Sequence, residues 1–167
     1  MATPAHLDRV DALLADPRPH PPEDTDHPTG YCGPGYRVEE LSVSREFWDD
    51  PDAMACDREH DLAQGALEAL AEVFTARWGR PYEVDLFSYL RASFDAQDAG
   101  YRPAEPVGLL CQQAVTLHVW PLPGAERWLG LCVGQGDKEL PVVLSAALAD
   151  GPAPAPTAPD PAPDPAP

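Results

Sequence analysis

Val115–Leu144 reads VTLHVWPLPGAERWLGLCVGQGDKELPVVL, and the reading of this stretch decides the fold. Successive side chains of a strand point to opposite faces, so Val115, Leu117 and Val119 share one side and Thr116, His118 and Trp120 the other. Leu129, Leu131 and Val133 alternate in the same way against Trp128, Gly130 and Cys132, and the Pro-Gly chemistry of residues 121–126 joins the two runs as an antiparallel hairpin. Keeping the aliphatic residues together pairs Trp120 with Trp128, Val119 with Leu129 and Leu117 with Leu131, because a one-residue slip would carry every side chain to the other face. The aliphatic face is then the core face. The Trp120/Trp128 face, with Thr116, His118 and Cys132, is either covered by a helix or left for a partner. Beyond the hairpin, Asp137 as cap and Pro141 in the first turn predict a helix over 140–149, with Leu140, Val143, Leu144, Ala147 and Leu148 as its apolar stripe and Gly151-Pro152 as its end.

Upstream, Thr3-Pro4 starts a short helix carrying Leu7, Val10, Leu13 and Leu14, which Asp16-Pro17 ends, giving an N-terminal unit over 1–16 that either docks on the domain or folds on a partner. Residues 17–35, PRPHPPEDTDHPTGYCGPG, are too rich in proline and glycine for regular structure and read as a linker. Tyr36–Ser44 reads as a strand with a bulge near Glu39-Glu40. A long helix follows from Pro51 or Asp52 to Trp78, with Leu62, Ala66, Leu70, Val73, Phe74 and Arg77 on one side, Leu67 and Trp78 widening the stripe, and Gly79 and Pro81 closing it. Residues 82–85 alternate as a strand, 86–96 have helical spacing, and Val107–Leu110 forms one helical turn or a strand edge. The tail over 151–167 cannot build a core and reads as a disordered, solubilising extension of polyproline II character, without an arginine-flanked PxxP ligand. The expected class is therefore α+β: one domain over 36–150, a small antiparallel sheet with a central hairpin, helices packed on one face, and disordered Pro-rich termini.

The chain has 167 residues, a net charge of −17 and 22 prolines, and Lys138 is its sole lysine. Such a balance disfavours direct binding to nucleic-acid backbone or anionic membranes and favours basic partners. The Ala, Pro, Arg and Asp richness suits a high-GC bacterial genome. With neither a charged-then-apolar leader nor an apolar run near 18 residues, the expectation is a cytoplasmic protein. Four cysteines, Cys32, Cys56, Cys111 and Cys132, show no CxxC spacing and read as free thiols.

Two thiol–imidazole pairs invite chemistry. Cys56 and His60 have the helical i, i+4 spacing that zinc ligands use, but no second Cys/His pair accompanies them, and a buried thiol beside a surface histidine is the plain alternative. His118 and Cys132 share a hairpin face in the expected register and could act as base and nucleophile, but no orienting group or oxyanion loop is visible. Gly-rich phosphate loops and GxSxG, HExxH or EF-hand patterns do not occur. No catalytic set, metal or cofactor is assigned.

The acidic run leans further towards function. Between Glu39 and Glu72 eleven acids face only Arg45 and Arg58, a net charge of −9, and Phe47 and Trp48 lie among them. Aromatic anchors beside acids suit a basic protein partner, since the rings supply buried area and the charge speeds encounter. The expected contact residues are Phe47, Trp48, Asp49, Asp50 and Asp52, joined by Trp120 and Trp128 if the second hairpin face is open. The alternatives are that Phe47 and Trp48 are core, that the chain is a small enzyme or metal protein using Cys132/His118 or Cys56/His60, or that its acids mimic DNA.

At RWGRP (77–81), VWPLP (119–123) and RWLGLCVGQGDKELP (127–141) the sequence resembles a group of small acidic actinobacterial proteins with no assigned activity, over about residues 40 to 150. That resemblance implies no reaction. The general plan is similar to that of bacterial immunity proteins that neutralise basic toxins, which implies an immunity-like or adaptor role for a non-enzymatic protein-binding module.

Overall fold

A computed structural model describes residues 4–16, 21, 23–48, 52, 54–95 and 101–159. In chain order the elements are α1 (Pro4–Ala15), β1 (Thr25–His27), β2 (Gly30–Gly33), β3 (Tyr36–Val43), α2 (Ala55–Trp78), β4 (Tyr82–Asp85), α3 (Leu86–Asp95), α4 (Val107–Leu110), β5 (Thr116–Pro121), β6 (Arg127–Gly134) and β7 (Val143–Asp150). The strands form one seven-stranded sheet in the order β1-β2-β3-β7-β6-β5-β4. Every neighbouring pair is antiparallel, and the class is α+β.

The middle strand is β7, over residues expected to be a helix. Its sequence, VLSAALAD, is buried along all but its last residue. Leu144, Ala146 and Leu148 enter the core on one side of the sheet, and Ala147 and Ala149 enter the core on the other. A strand covered on both faces has no polar alternation to betray it, and its alanines favour a helix locally; pairing with β3 and β6 overrides that preference.

The same double cover moves the hairpin register by one residue. Trp120 pairs with Leu129, Val119 with Gly130, and His118 with Leu131. Leu117 and Val119 therefore share a face with Trp128 and Cys132, and Trp120 shares the opposite face with Leu129 and Leu131. Both faces are apolar, so hydrophobicity alone could not choose between registers. Gly130 favours the observed one: a Cβ there would lie 2.8 Å from Leu117 Cδ1 and 3.0 Å from Trp128 Cζ3, so its absence lets those two side chains close together.

The long helices take one face of the sheet, and the short helices α3 and α4 take the other. On α2 the buried stripe is Ala63, Ala66, Leu67, Leu70 and Phe74, whereas Leu62, expected on it, faces solvent. Phe74 stacks on Trp78 at 5.3 Å between ring centroids and meets Trp120 edge-on at 5.7 Å, and Trp120 Nε1 donates to the Gly79 carbonyl at 3.1 Å. The Gly79 N–H closes the helix on the Thr75 carbonyl, as its sequence predicts.

Helix α1 docks on the domain. The β3 ladder shifts between Glu40 and Ser42, near the expected bulge, and Arg9 reaches into the irregularity, donating to the Leu41 and Glu40 carbonyls at 2.7 Å each and to Glu39 Oε1 at 2.6 Å. Arg77 pairs with Asp11 and Arg37 with Asp16, tying the same helix region to α2 and β3. The expected linker is also corrected: residues 25–33 contain β1 and β2, which extend the sheet. At Gly30 φ is 148° and a Cβ would sit 2.0 Å from the Val38 carbonyl oxygen, so these strands depend on close backbone approach and lack the apolar pattern by which strands are read.

Of the tail expected to be an unattached extension, residues 154–158 are laid along β4 and α3. Residues 160–167 lie outside the described residues.

Candidate functional site

The expected contact residues divide sharply. Trp48 is 62% exposed, whereas Phe47 is 8% exposed and belongs to the core under α2. The Phe47 N–H donates to the Glu139 carbonyl at 2.8 Å, so the segment after β3 is pinned at Phe47 and presents the next side chain outward. Trp120 and Trp128 are 1% and 3% exposed on opposite faces of the sheet, so neither can touch a partner; of the two alternatives for the second hairpin face, covered by a helix or left for a partner, the structure shows the covered one. Asp49 and Asp50 lie outside the described residues. Asp52 starts α2: its Oδ1 accepts from the Met54 N–H at 3.0 Å, its carbonyl accepts from the Ala55 N–H at 3.0 Å, and its carboxylate pairs with Arg58. The hydrogen bond from Arg58, followed by that from the Met54 N–H, holds this carboxyl below its ordinary value.

The outer surface of α2 continues the acidic region. Asp57, Asp61, Glu68 and Glu72 are exposed, and their i, i+4, i+11 and i+15 spacing puts them on one stripe of a 3.6-residue helix. Two apolar side chains that sequence reasoning missed as surface features accompany them: Met54 is 57% exposed and Leu62 61% exposed. Trp48 and Met54 precede the helix, and the carboxylate row runs along it.

The two thiol–imidazole pairs are held differently. Cys56 Sγ and His60 Nε2 both approach Gln135 Oε1, at 3.5 and 3.0 Å, while Gln135 Nε2 donates to the Leu140 carbonyl at 2.8 Å. These contacts bolt α2 to the connection after β6. Among the described residues no three His, Cys, Asp or Glu side chains gather as a metal-binding group. A cavity of about 330 Å³ opens beside the bolt, with the imidazoles of His60 and His118, the Thr116 hydroxyl and the amides of Gln64, Gln113 and Gln135 among its lining. His118 shares the face of its pairing neighbour Leu131, whereas Cys132 is buried in the opposite core, so the register that places them together is corrected and the pair is separated by the sheet. Burial pushes the Cys132 thiol up to about 12, which leaves it protonated and inert near neutrality.

A larger cavity, about 570 Å³, lies against α3 and α4 and includes Phe94, Tyr101, Glu105 and Cys111. Burial raises the Glu105 carboxyl, and its Oε2 accepts from the Leu109 N–H at 2.9 Å, a role at the start of α4. The neighbouring Cys111 thiol is likewise raised by burial and then by Glu105, so it is no activated nucleophile.

No family model, curated protein or solved structure matches the chain. No helix among the described residues is long and apolar enough to cross a membrane.

Proposed function

We propose that the chain is a non-catalytic binding module that docks a basic protein through Trp48, Met54 and the carboxylate row of α2, in an immunity-like or adaptor role in the bacterial cytoplasm. The observation that carries this reading is the 62% exposure of Trp48 next to a core-bound Phe47, at the head of a helix whose outer stripe is Asp57, Asp61, Glu68 and Glu72. A solvent-facing tryptophan gains its full transfer free energy only when something covers it, and a chain whose following helix carries four outward carboxylates favours a cationic partner. In the two cavities the described residues include no thiol of lowered pKa beside a base, which supports binding over catalysis.

The test is capture from host lysate at low salt on immobilised full-length protein, comparing wild type, Trp48→Ala, and the fourfold variant Asp57→Asn/Asp61→Asn/Glu68→Gln/Glu72→Gln. Truncating a central aromatic anchor costs about 2 kcal/mol or more, roughly thirtyfold in affinity, so the expected result is a basic protein held by wild type and lost from Trp48→Ala at unchanged melting temperature. Equal capture by all three proteins would refute the proposal.

A further inference from the structure

Four contacts hold the segment PAPAPTAP (152–159) against the outer edge of β4 and the first turns of α3. The Tyr82 hydroxyl donates to the Pro154 carbonyl at 2.8 Å, the Tyr89 hydroxyl to the Ala155 carbonyl at 2.8 Å, and the Asp85 N–H to the Pro156 carbonyl at 2.7 Å. In return, the Ala158 N–H donates to Ser88 Oγ at 2.8 Å. Ala153 and Ala158, like Tyr82, pack against the core cluster containing Leu86 and Tyr89.

This is the chemistry of polyproline recognition. Proline has no N–H, so a Pro-rich segment presents carbonyl acceptors in succession and asks its receptor mainly for donors; here two phenol hydroxyls and one sheet-edge amide supply them. The extended conformer is populated before binding, so little entropy is lost on docking, and small alanines between the prolines let the backbone lie close to the tyrosines. Burial raises both tyrosine pKa values, which keeps the hydroxyls protonated as donors across the physiological range. Because prolines interrupt its donors, the segment covers the β4 edge without becoming a strand that another chain could extend.

We propose that Tyr82, Asp85, Ser88 and Tyr89 form a receptor groove for extended Pro/Ala-rich segments, closed in cis by residues 152–159 and open to such a segment of another protein when the cis segment is displaced. The tail is thus both an edge guard and a built-in competitor, a role that its composition alone does not reveal.

The test uses the full-length chain and a fluorescent peptide of sequence GPAPAPTAP, residues 151–159, read by anisotropy. Ala153→Asp/Ala158→Asp detaches the cis segment by charging its two packed alanines. The expected result is saturable binding to this variant and at least tenfold weaker binding to wild type, whose own tail competes at high effective concentration. Adding Tyr82→Phe/Tyr89→Phe to the detached variant should weaken binding at least tenfold, as should replacing the peptide's prolines by glycine. Equal binding to wild type and detached variant, or indifference to either change, would overturn the proposal. A second readout does not depend on how the detached variant folds: in the otherwise native chain, Tyr82→Phe/Tyr89→Phe should speed hydrogen exchange of the Asp85 amide at least tenfold while β6 and β7 amides keep their rates. An unchanged Asp85 rate would also overturn it.

Discussion

Sequence grouped Phe47 and Trp48, with Trp120 and Trp128 if the second hairpin face were open, as contact aromatics, and of the four only Trp48 faces solvent. Trp120 is 1% exposed, meets Phe74 edge-on and is satisfied at its indole N–H by Gly79, so Trp120→Ala should cost about 3–5 kcal/mol and lower the melting temperature sharply, while Trp48→Ala should leave it within a degree or two. Gly130→Ala would press a Cβ against Leu117 and Trp128 and should cost about 1–3 kcal/mol in a denaturant titration, more than an exposed Gly→Ala change would. Cys132 gives a sign-definite pH expectation. Burial raises its pKa to about 12, so the thiolate forms only at strongly alkaline pH, and maleimide labelling of native protein at pH 8, read by mass spectrometry, should leave Cys132 unmodified until denaturant is added. At this scale sequence singled out Phe47 and Trp48 together but could not tell the exposed ring from the buried one, because adjacent aromatics in a loop carry no periodicity. Leu62 was legible in hindsight: it falls off the stripe defined by Ala63, Ala66, Leu67, Leu70 and Phe74.

The elements legible in the sequence were those with one polar face or a marked end: α2 with its Gly79 stop, the β4-to-α3 change at Leu86, and the irregular β3. Elements buried on both faces were not. In β7 and in the β5–β6 register the hydrophobic pattern is continuous, so tertiary pairing supplied the information that alternation lacks. Strands β1 and β2 are short, β2 pairs with β3 through a glycine-bounded GYCG, and β1 pairs in turn with β2. Helix α1 offers a prediction at this scale. Arg9→Met removes donors from the Glu40 and Leu41 carbonyls, so α1 amides should exchange faster and the unfolding midpoint should fall. The hydrogen bond from Arg77 lowers the Asp11 carboxyl below its ordinary 3.8, so its contribution is present above that value and is lost as pH falls through the depressed folded-state pKa. Wild type should therefore exceed Asp11→Asn in stability at neutral pH, and the gap should close in acid. Because the pair is partly exposed, the gap should be small and shrink with salt.

The whole molecule joins two surfaces of different chemistry. The α2 side, with Trp48 and its carboxylates, sits within a chain of net charge −17. The β4 side is covered by the chain's own Pro-rich segment. The tail escaped sequence reading because it docks through backbone carbonyls, which every sequence has, and the tyrosines that receive them lie about seventy residues earlier in the chain. The acidic surface was readable as charge, but its orientation emerged only when the buried stripe of α2 fixed the outer one.

The central claim is that the acidic α2 face and Trp48 bind a basic protein, and a salt titration of the captured complex tests it most directly. Affinity carried by complementary charge around an aromatic anchor should fall steeply as salt shortens the screening length from about 10 Å at 0.1 M towards 3 Å at 1 M, with Trp48→Ala weaker at every salt concentration. A partner whose binding is flat across that range, or indifferent to Trp48→Ala, would contradict the account.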